Sequence, residues 1–111
     1  MTTDTTLLRS AETWTPIDVA EVDYAPFDFA DLLEAGESIA TVAVTCEVLE
    51  GVDASSASRI AAPAEINGTQ VRQLISGAVA GVVYAVRCVA TLTPPPRKLT
   101  ITGRLPAVRE V

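Results

Sequence analysis

Histidine is absent from the 111 residues of this chain. That removes the commonest general base, the usual partner of a nucleophilic serine or cysteine, and the commonest transition-metal ligand. Aromatic residues are scarce, at two Phe, two Tyr and one Trp. The hydrophobic 49% is therefore mostly Ala and Val, small side chains that suit two thinly packed sheets better than a deep ligand cavity. No uninterrupted run of about 18 apolar residues occurs, so no membrane-spanning helix is expected. The opening stretch MTTDTTLLRSAETW has neither the basic start nor the apolar core of a secretory signal, which predicts a protein made and kept, at least at first, in a cytoplasm.

Positive charge is almost missing from the first half. Residues 1–50 carry eleven acids and one base, Arg9, whereas residues 51–111 carry three acids and seven bases, within a net charge of −6. Two arrangements fit this polarity: the halves pair within one fold, or the acidic face of one subunit meets the basic face of the next. The bases stand singly with no aromatics between them, so nucleic acid is not an expected partner.

What is present is strand periodicity in a chain the size of one domain. Residues 1–16 are polar and Thr-rich, with Trp14 as one large anchor for the chain's own core or for a neighbour. They read as an extended arm preceding a single domain over 17–111. Residues 17–35 begin extended, with Pro26 and the aromatics Tyr24, Phe27 and Phe29 at a strand edge. One helical turn follows, capped by Asp28 or Asp31 and ended by Gly36. Residues 38–49 alternate, setting Val42, Val44, Cys46 and Val48 on one face. GVDASSAS reads as a loop and residues 59–62 as a short strand. Asn67-Gly68 predicts a tight turn with both residues at positive φ. Residues 70–76 alternate next, with Val71, Gln73 and Ile75 inward, and Gly77 and Gly81 bound a turn. Residues 82–92 carry Tyr84, Val86 and Cys88 inward. Pro94–Pro96 form a stiff connection, and a last strand from Lys98 to Leu105 is closed by Pro106. Six or seven strands, one helical turn and regularly spaced turns predict an antiparallel β-sandwich.

No constellation predicts catalysis, a metal site or a cofactor. Asp28, Asp31 and Glu34 lack the loop spacing of a calcium site and read as caps and solvated carboxylates. Cys46 and Cys88 fall at inward positions of two strands. An immunoglobulin disulfide would have a Trp on the strand between, and none lies there, so they read as reduced, buried thiols with nothing nearby to activate them. The glycines of GAVAGVVY have no following helix and no Lys-Ser or Lys-Thr pair, so they bend a hairpin rather than cradle phosphate.

The order of these motifs resembles small virion proteins of tailed bacteriophages, of the fibre–tail adaptor or neck and tail accessory type. The resemblance runs over residues 23–108. It is carried by Asp23, Tyr24, Asp28 and Phe29, by Gly36-Glu37-Ser38-Ile39, and by Gly51, Gly77, Gly81 and Tyr84, with the Gly-Arg of LTITGRLPAV near the end. Ala78 stands where a second glycine is common, and Pro94–Pro96 replace a glycine-containing turn. Both departures lie in turns. The resemblance implies an immunoglobulin-like or fibronectin-like sandwich that works by binding, in a ring that joins a tail or neck to fibres. It would sit in the virion after assembly in the bacterial cytoplasm, with no nucleic acid and no membrane as partner. Edge strands and the arm are the expected means of contact, with Trp14, Tyr24, Phe27 and Phe29 as partner-binding candidates. A head-completion or neck connector is the neighbouring reading, and a carbohydrate- or ligand-binding sandwich module a more distant one.

Overall fold

The structure, a computed structural model, describes residues 12–93 and 96–109. Eight strands form: β1 (Glu12–Thr13), β2 (Ile17–Asp18), β3 (Asp23–Asp28), β4 (Ser38–Glu50), β5 (Glu65–Asn67), β6 (Gln70–Ile75), β7 (Val83–Thr93) and β8 (Lys98–Val108). They make two sheets, one ordered β1–β8–β7–β4 with β2 also on β8, the other β3–β6–β5. No α-helix occurs among the described residues, only 3₁₀ turns at Ala30–Leu32 and Ser56–Arg59.

The long strands form where one face alternates into the core. On β7 the buried positions are Tyr84, Val86, Cys88, Ala90 and Leu92. On β8 they are Ile101, Gly103, Leu105 and Ala107. From the opposite sheet Ala25, Phe27, Val71 and Ile75 are buried in the same core. Buried Gln73 is satisfied by donating from Nε2 to the carbonyl oxygens of Ala62, at 2.6 Å, and Leu74. Phe29, just past β3, is also fully buried.

Several local expectations give way to the structure. Residues 12–18, which straddle the stretch read as an arm, add β1 and β2 to β8 in parallel, so the main sheet is mixed rather than wholly antiparallel. Residues 1–11 lie outside the described residues. The Ser-rich loop holds a 3₁₀ turn, and residues 59–62 contribute a single bridge, Ile60 to Ile75, instead of a strand. Asn67 ends β5 opposite Gln70, leaving Gly68–Thr69 as the two-residue loop. Only Gly68 has positive φ there, +65°, at the place a type II′ turn reserves for glycine. Pro106 does not close β8, which runs on to Val108. Its missing N–H falls opposite the step between β1, paired to Arg104, and β2, paired from Ala107, where no ladder bond is required. Of the Pro94–Pro96 connection, Pro94 and Pro95 lie outside the described residues.

Candidate partner-binding site

The outward face of the β3–β6–β5 sheet gathers a polar and aromatic cluster. Arg72 stands on the central strand, with Pro26 opposite on β3 and Glu65 opposite on β5. Its guanidinium lies 4.0 Å from the centre of the Tyr24 ring, within cation–π range. Its Nε and Nη2 donate to Glu65 Oε1 at 2.9 and 2.8 Å. The Tyr24 hydroxyl donates to the other carboxylate oxygen of Glu65 at 3.3 Å. An open groove of about 550 Å³ runs beside this cluster, bounded by Asp28, Asn67, Gln70 and the exposed Ile66. Exposed tyrosine and arginine side chains are the residue types enriched at protein interfaces.

Of the residues expected to meet partners, Tyr24 alone lies on this face. Phe27 and Phe29 are buried in the chain's own core. Trp14 is half-buried against that core. Its ring stands edge-on to Phe27, with centroids 5.3 Å apart, and lies over Gly103, where any Cβ would collide with the indole. Arg72 and Glu65 were not singled out by the sequence reading. The signal for Arg72 was there: alternation puts it outward on β6.

Two part-buried ion pairs tie the connections between strands. Asp53, its side chain 4% exposed, receives Arg59 Nε at 2.9 Å and Nη2 at 3.1 Å, and the Tyr84 hydroxyl at 2.6 Å. The same hydroxyl accepts the Val79 N–H at 2.9 Å. Arg59, and then Tyr84, hold the Asp53 carboxyl well below the usual carboxylate range, while burial and Asp53 raise the Tyr84 phenol. This tyrosine stays protonated and works as a tie rather than a base. Glu37 accepts Arg97 Nε and Nη2 at 2.7 and 2.8 Å, and its carboxyl is lowered to about 2, chiefly by Arg97 and then by the Glu34 N–H. With Glu50–Arg104, it joins the acidic first half to the basic second half within one chain.

Neither cysteine is an activated nucleophile. Burial pushes Cys88 up to about 12 and Cys46 to about 11, where Asp53 adds to the shift. Both are free and buried at neighbouring positions of β4 and β7. Among the described residues no three Cys, Asp or Glu side chains converge as metal ligands, and no helix is long and apolar enough to cross a membrane.

Comparison with curated proteins and with solved structures gives no match. A family model does match, over residues 18–100, which takes in the end of β2, β3 through β7 and the start of β8. On that match the chain belongs to the podophage GP4 fiber-tail adaptor protein gp77 family.

Proposed function

We propose that the chain is a non-catalytic structural adaptor of a tailed-phage particle, carried in the tail or neck in several copies arranged as a ring. It binds tail or neck proteins on one side and fibre proteins on the other. The observation that carries this reading is the family match across residues 18–100.

The strand order supports an immunoglobulin-like sandwich as the scaffold. Taken as strands B to G, β3 to β8 fall into B–E–D and C–F–G sheets, the constant-type arrangement. The bond from the Val79 N–H to the Tyr84 hydroxyl, five residues on, has the form of a tyrosine corner. Such a scaffold binds through exposed edges and faces. The Tyr24–Arg72–Glu65 face and the arm preceding β1 are the contact surfaces in this reading. That Arg59, Arg72, Arg97 and Arg104 each engage a carboxylate of the same chain supports a reading in which the partners are proteins rather than nucleic acid.

The test is to assemble particles with and without the chain and image them. Fibreless tails that regain fibres on adding purified protein are the expected result. Heads that lose their DNA or fail to join tails would instead favour a neck connector. Intact, fully fibred particles lacking the chain would overturn the adaptor reading.

A further inference from the structure

Strand β4 ends its sheet: it pairs with β7 on one side, and among the described residues no strand pairs with it on the other. Edges of this kind are normally kept short or guarded by proline, lysine or bulges. Here register shifts at Ile39/Thr41 and Val48/Glu50 bracket a regular stretch, Thr41–Val48, with no proline, no base and one charge, Glu47. The segment from Ser56 to Ala64 passes beside this edge, yet its main-chain bonds run to Leu74, to Ser76 and within itself. Between that segment and β4 two open grooves remain, of about 430 and 600 Å³, the first reaching Thr41 and Val44, the second Thr45 and Glu47.

Strand directions say what fits there. β1 runs parallel to β8, β8 antiparallel to β7, and β7 antiparallel to β4. The two edges of the sheet, β1 and β4, therefore point the same way. A second copy set with its β1 side against this β4 continues the sheet head to tail, the contact type that closes into rings. Residues 1–11 lead into β1 at that edge. Fully extended they span up to about 36–40 Å, more than the ~23 Å of a seven-residue strand. Thr2, Thr3, Thr5 and Thr6 favour strand, and Arg9 is the one base in the first fifty residues.

We propose that residues 3–9 of one copy add in parallel to the Thr41–Glu47 edge of the next copy, with Arg9 beside Glu47. The addition links subunits head to tail by main-chain hydrogen bonds, and it rests on the adaptor reading in taking several copies to meet around one particle.

The test places Leu7→Cys and Thr45→Cys in one full-length chain and oxidises it mildly, both as purified protein and in assembled particles. A reducible ladder of covalent oligomers is expected, absent from either single variant. In parallel, Arg9→Glu is expected to lower the copies per particle several-fold, and adding Glu47→Arg to restore them. A doubly substituted chain that enters particles normally yet forms no intermolecular crosslink overturns this inference and leaves the adaptor reading intact. A wild-type chain missing from particles sinks the adaptor reading. The inference then stands or falls on the ladder formed by the purified protein.

Discussion

Gly103 lies beneath the indole of Trp14, so close that a single methyl group there would collide with the ring. The glycine sits on β8 opposite Val86 on one side and Glu12 on the other. Its missing side chain is what lets residues 12–18 lie down on the sheet. Gly103→Ala is expected to expel Trp14, costing about 1–3 kcal/mol as an overpacking substitution. The indole emission should shift to the red. In Trp14→Ala the same glycine substitution should cost much less, a coupling that a double-mutant cycle in urea measures.

Tyr84→Phe removes a donor from Asp53 and an acceptor from the Val79 N–H, both in a part-buried setting. The expected loss is about 1–3 kcal/mol, that of leaving buried polar groups short of a partner. Equilibrium urea unfolding checks it, and an unchanged midpoint would show that water satisfies both groups.

Acid should weaken the fold through Glu37. Its carboxyl titrates near 2 in the folded chain, below its ordinary 4.5, so the unfolded chain binds the proton more readily. The contribution is complete above about pH 4.5, falls as pH drops toward about 2, and is gone below that. Glu37→Gln should flatten the melting temperature between pH 5 and pH 2 relative to wild type.

Both thiols should be silent in the folded protein. With Cys46 raised to about 11 and Cys88 to about 12 by burial, almost no thiolate exists at pH 8. A disulfide reagent should label neither until denaturant is added, then both. Rapid native labelling would mean that β4 opens from β7.

Arg72→Ala should separate stability from assembly. The Arg72–Glu65 pair is half-exposed, at 54% and 52%, and such pairs contribute under about 1 kcal/mol. Melting should barely move, whereas incorporation into particles should fall if this face meets a partner. Tyr24→Ser should act in the same direction.

Much of this fold could be read from alternation. β6, β7 and β8 each bury one face and β4 half-buries one, and a period of two places Val42, Gln73, Tyr84 and Ile101 correctly on the inward side. What escaped that reading has no local signature. β1 and β2 are two residues each, too short for periodicity, and their partner lies at the other end of the chain. The pairs Asp53–Tyr84 and Glu37–Arg97 join residues 31 and 60 positions apart. In sequence the aromatic run Tyr24, Phe27 and Phe29 reads as one edge feature. Proline at position 26 breaks no alternation on an edge strand: Phe27 points inward and Tyr24 outward, and Phe29 turns into the core just beyond the strand.

The parallel docking of residues 12–18 on β8 also sets an order of events during synthesis. Glu12 pairs with Gly103 and Asp18 with Val108, so β1 and β2 leave the ribosome well before β8, the strand on which they find their place. Until then Trp14 has no seat. Its burial is thus a timestamp on the arrival of β8, one that ribosome-bound chains of increasing length would report as a late step in indole fluorescence.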